Sequence, residues 1–156
     1  MPLTLGQPAP DFTLSDQDGT THTRQDFAGK WLVLYFYPKA MTPGCTVQAQ
    51  HARDAQADFA SLNAAIVGVS ADEPAKLKKF QDKEGLNFTL LGDPTHAMLE
   101  AYGMWVEKSM YGKTYWGVSR STVILDPQGI ARHIIPKASP KTHHTDVIEW
   151  LKTHGC

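Results

Sequence analysis

Cysteine is scarce in this sequence of 156 residues, which contains only Cys45 and Cys156. Two cysteines cannot build the disulfide framework that stabilises small secreted domains. The chain is long enough to bury a core without such cross-links, and its length suits one domain spanning residues 1–156. Thiol chemistry in this protein is therefore expected to be catalytic or incidental.

An excess of either charge is also missing. The 15 Lys and Arg residues are matched by 16 Asp and Glu, which argues against nucleic acid or an anionic membrane surface as a partner. The most apolar run, "WLVLYFY", is far too short to cross a bilayer, and "MPLTLGQPAPDF" does not resemble a secretory signal. We expect a soluble, cytoplasmic protein without membrane attachment.

What the sequence does contain is an alternation of strand-like and helix-like segments. Turn residues Asp18-Gly19 sit between two short β-type runs, which predicts an N-terminal hairpin. The continuous apolar run from Trp31 to Tyr37 predicts a strand buried on both faces. A helix is predicted from Pro43 to about Leu62, followed by a second buried strand in "AAIVGVSAD".

The rest of the chain continues this pattern. "EPAKLKKFQDKEG" predicts a helix ending at Gly85, and a short helix is expected over residues 95–102. "STVILDPQGIARHIIP" predicts a second hairpin and "HTDVIEWLKTH" a closing helix. The order favours an α/β fold of thioredoxin-like type, in which helices flank a central mixed sheet and the first hairpin is an extension.

Cys45 lies where such a fold places active sites. Thr42 and Pro43 suit the N-cap and first position of a helix, so Cys45 falls in the first helical turn, just after a central strand. Unpaired backbone N–H groups and the positive end of the helix dipole favour a thiolate there. The same local features also fit a buried structural cysteine.

Two separated motifs decide between these alternatives. "Pro38-Lys-Ala-Met-Thr42-Pro-Gly-Cys45" resembles the P-x-x-x-[T/S]-x-x-C signature of the peroxiredoxins. "FYPKAMTPGCT" together with "EKSMYGKTYWGVSRSTVILDPQG" is similar to the bacterioferritin-comigratory-protein, or PrxQ, subfamily. The likeness extends from "GQPAPDFTL" to the last helix.

The resemblance implies a thiol peroxidase that reduces hydrogen peroxide and organic hydroperoxides. Cys45 would attack the peroxide and become a sulfenic acid. Thr42 would hydrogen-bond the peroxide, Pro38 would shield the pocket, and Arg120 would supply a cation beside the sulfur. No haem, flavin or metal cofactor is implied, and a monomer or weak dimer is expected.

The sequence departs from the subfamily at the resolving cysteine. Gln50 stands at one usual position of that second thiol and Gln81 near the other, so Cys156 at the chain end is the remaining candidate. We therefore favour a one-cysteine mechanism, in which glutathione, glutaredoxin or thioredoxin reduces the sulfenic acid. Ala40 and Gln48 replace frequent acidic residues, which should favour the thiolate slightly.

Other readings of the same sequence are weaker. His143, His144 and His51 lack the spacing of a metal site. The aromatic stretch "MWVEKSMYGKTYWGV" is expected to be a long loop packed on the core, with a substrate mouth or subunit contact as alternatives. A disulfide carrier would need a C-x-x-C pair. A peroxide sensor or a holdase chaperone on the same fold stays open.

Overall fold

The N-terminal hairpin forms as predicted. The structure, a computed structural model, describes residues 3–137, 139 and 142–154. Strands β1 (Thr13–Asp16) and β2 (Thr21–Thr23) pair antiparallel, and a 3₁₀ turn follows at Arg24–Phe27. The carboxylate of Asp16 accepts the N–H groups of Asp18 and Thr20 at 2.9 and 3.0 Å, which fixes the turn between the strands.

Three parallel strands form the centre of the sheet. They are β3 (Trp31–Phe36), β4 (Ala64–Ser70) and β5 (Thr89–Gly92), with β4 paired to both neighbours. β3 is buried on both faces beyond its first residue, as the apolar run predicts. β5 was not predicted, because a four-residue run that ends in glycine carries too little periodicity to separate it from a connection.

The predicted helix after Pro43 is in fact two helices. α1 (Pro43–Asp54) ends at Ala55, and α2 (Gln56–Ser61) follows directly after it. The Gln56 side-chain amide donates to the Ala52 carbonyl over 3.0 Å, which satisfies a carbonyl near the end of α1. Ala52 of α1 and Phe59 of α2 are both buried in the core.

The remaining helices lie where they were predicted, with shorter bounds in one case. α3 (Pro74–Glu84) ends at Gly85, which adopts a left-handed conformation with φ of 63°. α4 (Ala97–Ala101) is shorter than the predicted range 95–102, and α5 (His143–His154) closes the described chain. None of the helices formed by the described residues has the length and apolar character needed to cross a membrane.

The stretch predicted to be a long loop is a second hairpin. β6 (Trp105–Met110) and β7 (Lys113–Val118) pair antiparallel and form a two-stranded sheet of their own. The prediction was wrong because four consecutive residues of β7 are exposed, so neither face shows the apolar alternation of a half-buried strand.

The late hairpin completes the main sheet. β8 (Thr122–Leu125) and β9 (Ala131–Ile135) pair antiparallel, and β8 also lies antiparallel to β3. The order of the seven strands is β2-β1-β5-β4-β3-β8-β9. The sheet is therefore mixed, parallel at its centre and antiparallel at both ends, in agreement with the predicted fold class.

Alternate side chains of β3 divide the core into two layers. Val33, Tyr35 and Tyr37 pack on the side of α1, α3 and α5, whereas Leu34 and Phe36 pack on the side of α4. Phe36 and Phe59 are buried, whereas Trp31 and Trp150 are only partly buried and meet edge to face at the margin of the core. The layer of α1 is the one that carries Cys45.

Candidate active site

Cys45 occupies the first turn of α1, as the sequence predicts. Thr42 is the N-cap, Pro43 the first helical residue, and the earliest backbone bond of the helix runs from the Thr46 N–H to the Thr42 carbonyl over 2.9 Å. The N–H groups of Gly44 and Cys45 precede that bond and have no helical partner. The sulfur therefore sits at the positive end of the helix.

Arg120 reaches this sulfur from a distant part of the chain. Its Nη2 lies 3.2 Å from the Sγ of Cys45, and its Nη1 donates to the Oε1 of Gln48 over 2.7 Å. Cys45 and Gln48 are three residues apart on α1, so they share a face of the helix. One guanidinium thus bridges two side chains of the same helix through its fixed fork of donors.

The sulfur is buried as well as paired. Cys45 is a free thiol with only 1% of its surface exposed, and it belongs to the core layer that contains Tyr35 and Tyr37. The hydroxyls of both tyrosines are buried without a hydrogen-bond partner among the described residues. Burial raises the pKa of Tyr35, so its ring stays neutral. A low-dielectric surrounding strengthens the attraction between Arg120 and an ionised sulfur.

Thr42 is the N-cap by position, but its side chain does not cap the helix. The hydroxyl instead donates to the Lys39 carbonyl over 2.8 Å, inside the loop between β3 and α1. The Lys39 carbonyl thus takes the hydrogen bond that the hydroxyl could otherwise make elsewhere in the site. Pro38 begins the same loop and is half-buried, and Met41 has a φ of +66°, so the loop is tightly constrained.

Asp72 holds this loop in place, and the sequence alone did not identify it. Its Oδ2 accepts the N–H of buried Ala40 and the hydroxyl of Ser70, each over 2.8 Å. Its Oδ1 lies 3.4 Å from the Nζ of Lys76. Asp72 follows β4, which runs parallel to β3, so its carboxylate meets the loop at the shared carboxyl edge of the sheet.

Lys108 is a second residue that sequence reasoning missed. It lies on β6, is half-buried, and its pKa is lowered by burial and by the positive charge of Arg120, while the charge of Cys45 acts in the opposite direction. Lys108 pairs with Tyr115 of β7, the strand that precedes Arg120 in the chain, so a further cation lies on the hairpin that leads into the site. Only the pairing of β6 with β7, which leads toward Arg120, brings it there.

Glutamines stand at the two positions where the subfamily often has a resolving cysteine, and both form hydrogen bonds. Gln50 donates to the Oε1 of Glu84 over 2.8 Å, and the Oε1 of Gln81 accepts from Lys78 over 3.1 Å. The remaining candidate, Cys156, lies outside the described residues. The described residues accordingly place no second thiol beside Cys45.

The histidines named as a metal possibility serve other contacts. His143 is buried and bonds through Nε2 to the Thr122 hydroxyl over 2.6 Å, and burial lowers its pKa to about 4. His144 stacks on His51, with ring centroids 4.5 Å apart. Within the described part of the chain, no three His, Cys, Asp or Glu residues are grouped as metal ligands.

The chain matches known proteins over nearly its whole length. Residues 5–134 fit the model of the AhpC/TSA family. The chain is 46% identical over 154 residues to peroxiredoxin Bcp of Escherichia coli K12, covering 99% of both, and 43% identical over 152 residues to peroxiredoxin Bcp of Bacillus subtilis, covering 97% of both. A structure of the bacterioferritin comigratory protein of Xanthomonas campestris superposes with a TM-score of 0.91 at 35% identity, covering 98% of this chain and all of that one.

These similarities identify the class of enzyme that the fold and the cysteine at the helix start already indicate. The protein is a peroxiredoxin, a thiol peroxidase with the thioredoxin fold. More narrowly, the chain belongs to the Bcp, or PrxQ, group of that family.

Proposed function

We propose that Cys45 is the cysteine that attacks the peroxide. The contact that carries this assignment is the 3.2 Å approach of the Arg120 guanidinium to Sγ at the first turn of α1. As a thiolate, the sulfur attacks the terminal oxygen of the peroxide ROOH. The S–O bond forms as the O–O bond breaks, and the RO⁻ that leaves takes a proton to become ROH. Cys45 becomes a sulfenic acid.

Three neighbouring residues have separate roles in the attack of Cys45 on the peroxide. Arg120 stabilises the thiolate and follows the negative charge onto the departing oxygen, with its second arm held by Gln48. The Thr42 hydroxyl donates its hydrogen bond to the Lys39 carbonyl, so its lone pairs are free to accept the O–H of the peroxide. Pro38 narrows the approach to the sulfur at the start of the loop.

We further propose that the substrates are hydrogen peroxide and organic hydroperoxides. The related Xanthomonas campestris protein is described as reducing alkyl peroxides, and this chain is similar to it over nearly its full length. The substrates' common feature is a terminal O–OH group, which is all that the reaction at Sγ requires.

The sulfenic acid is reduced by an external thiol in this proposal. Gln50 and Gln81 stand where the subfamily often has a resolving cysteine, which supports a one-cysteine route. A thiol RSH from glutathione, glutaredoxin or thioredoxin attacks Sγ, and the oxygen leaves as water. A second thiol then breaks the mixed disulfide, which restores Cys45 and leaves the reductant oxidised.

The whole chain is proposed to act as one domain in a reducing compartment. The seven-stranded sheet runs from β1 near the N-terminus to β9 near residue 135, which supports a single unit. A free cysteine kept for catalysis suits the cytoplasm, where thiols stay reduced.

Single-turnover kinetics test this function. Reduced protein mixed with one equivalent of hydrogen peroxide should consume it rapidly, and Cys45→Ser should abolish that reaction. Cys156→Ser is the matched control and should react at the wild-type rate. Unchanged peroxide loss in Cys45→Ser would contradict the proposal. Protection of an aggregating client protein that survives Cys45→Ser would favour the holdase instead.

A further inference from the structure

The β6–β7 hairpin separates its charges between two faces. Side chains alternate along each strand, so Lys113, Tyr115 and Gly117 of β7 share one face, and Lys108 joins them because it pairs with Tyr115. We call these four residues the lysine face. The opposite face carries Glu107 and Trp116, which are also paired. The lysine face therefore has two cations and no acid.

The lysine face leads along β7 to the catalytic cysteine, because Gly117 lies shortly before Arg120, whose Nη2 is 3.2 Å from Sγ of Cys45. A Cβ at Gly117 would lie 3.4 Å from the Tyr115 ring and 3.5 Å from the Lys108 stem, so these two side chains flank the glycine. Burial lowers the pKa of Lys108, and the positive charge of Arg120 lowers it further. The charge of Cys45 raises it. Among the described residues no carboxylate forms an ion pair with Lys108. Lys113 likewise has no carboxylate partner among the residues that the structure describes.

The tip of the hairpin is poorly suited to folding. Tyr111 and Gly112 connect the strands with φ of +53° and +77°, a conformation in which Asn, Asp or Gly is favoured at the first position. Tyr111 is nevertheless 98% exposed, so its ring gains nothing by burial. Tyr115 is 44% exposed. A strained, fully exposed aromatic residue is more readily explained by contact with a partner than by stability.

We propose that the lysine face and Tyr111 form the docking surface for a protein thiol reductant whose reactive cysteine is bordered by carboxylates. This inference rests on the proposed function, since it names the partner that reduces the Cys45 sulfenic acid. Two lysines without a carboxylate partner favour binding to a negatively charged surface. Exposed tyrosines are frequent anchors at protein interfaces. Six-residue strands extend about 20 Å, a span that suits a protein surface better than a tripeptide.

The docked reductant completes the chemistry that follows peroxide reduction. Its thiolate attacks Sγ of the sulfenic acid, so an S–S bond forms and the S–O bond breaks, with the oxygen leaving as water after protonation. A second thiol of the same reductant then displaces the Cys45 thiolate and leaves the reductant as a disulfide. The lysine face holds the partner during both displacements.

A double-mixing experiment tests this surface. Protein is oxidised with one equivalent of hydrogen peroxide and then mixed with reduced thioredoxin of net negative charge or with dithiothreitol. We expect Tyr111→Asn and Lys113→Glu each to slow reduction by thioredoxin about tenfold or more. Reduction by dithiothreitol and the preceding peroxide step should be unchanged. Tyr111→Asn should also melt at the same or a higher temperature than wild type, because Asn suits the turn.

The opposite face provides the control. Trp116 is 58% exposed on the same hairpin, and Trp116→Thr should leave the thioredoxin rate unchanged. Equal thioredoxin rates in wild type, Tyr111→Asn and Lys113→Glu would overturn the proposal, as would an equal loss in Trp116→Thr. Slower reduction by dithiothreitol in Tyr111→Asn would also overturn it, since the effect would then lie in the site. Failure of the peroxide step in wild type would instead refute the proposed function.

Discussion

The guanidinium of Arg120 lies 3.2 Å from the sulfur of Cys45, although 75 positions of sequence separate the two residues. The fold makes this contact by placing the β7–β8 connection beside the first turn of α1. Because the sulfur is buried, the cation and the helix end act on it with little screening by water. The sulfur of Cys45 thus lies against a cation and at the positive end of a helix, which distinguishes it from an ordinary core cysteine.

Loss of the Arg120 guanidinium should slow the peroxide reaction strongly. We expect Arg120→Met to lower the second-order rate constant about a hundredfold or more, the usual effect of removing a preorganised donor. Arg120→Lys keeps the charge but cannot bridge Cys45 and Gln48, so it should recover part of the rate. Arg132→Met is the control, since Arg132 pairs with Asp126 beyond the other end of β8. A wild-type rate in Arg120→Met would remove Arg120 from its assigned role.

Gln48 should matter as the acceptor that orients Arg120. Gln48→Leu removes the acceptor and should lower the peroxide rate about fivefold, the factor that a hydrogen bond of about 1 kcal/mol gives. Gln48→Glu keeps an acceptor oxygen and should retain more of the rate. Stopped-flow kinetics at one pH measure the peroxide rate of both variants. An equal loss in the two variants would show that the hydrogen bond itself is unimportant.

Asp72 should stabilise the fold and the active-site loop together. Asp72→Ala leaves the buried Ala40 N–H without its acceptor, which should cost about 1–3 kcal/mol of unfolding free energy. The peroxide rate should fall because the loop that positions Thr42 is loosened. Asp72→Asn keeps one side-chain oxygen, so it should lose less unfolding free energy and less of the peroxide rate than Asp72→Ala. Urea unfolding and stopped-flow kinetics measure the two effects.

The control for this loop contact is an aspartate elsewhere on the surface. Asp58 on α2 is exposed, so Asp58→Ala should change neither stability nor rate. If Asp72→Ala unfolds at the wild-type urea concentration and reacts at the wild-type rate, the loop does not depend on this carboxylate.

His143 should make the protein less stable in mild acid. Burial lowers the pKa of His143 to about 4, below the ordinary value of 6.5. Between these two pH values the imidazole is protonated in the unfolded chain but neutral in the folded protein. This contribution to stability is complete above pH 6.5 and is lost as the pH falls from about 6.5 to about 4. The loss amounts to about 3 kcal/mol for such a shift.

The pH effect is measured by urea unfolding at neutral and acidic pH. His143→Gln keeps a hydrogen-bonding side chain beside Thr122 but does not titrate, so its stability should fall less over that interval. His144, whose pKa is also lowered by burial and by His51, stays in both proteins and cancels in the comparison. Identical pH dependence in the two proteins would show that His143 does not titrate as described.

The parts of the site that local sequence determines were predicted correctly. Thr42-Pro43 marks the start of α1, and Cys45 falls in its first turn as expected. Arg120 came only from the family motif, because no local rule connects a residue before β8 with a helix far earlier in the chain. The contact of Asp72 with Ala40 and the position of Lys108 depend on strand pairing, and no local pattern of residues indicates either.

The strands that were not predicted are those whose apolar residues show no regular spacing. β5 has only four residues, and the β6–β7 hairpin is exposed on both faces of β7, so neither shows an apolar pattern. The Tyr111-Gly112 turn also hides the hairpin, because tyrosine is unusual at a position with φ of +53°.

The mass of the peroxide-treated protein tests the central claim most directly. Wild type and Cys156→Ser are each treated with one equivalent of hydrogen peroxide and analysed intact and after digestion. We expect both proteins to gain one oxygen atom, located on Cys45 and trapped by a sulfenic-acid reagent. A loss of two hydrogens or a covalent dimer in wild type, absent from Cys156→Ser, would show that Cys156 resolves the intermediate. No modification at Cys45 would contradict the account as a whole.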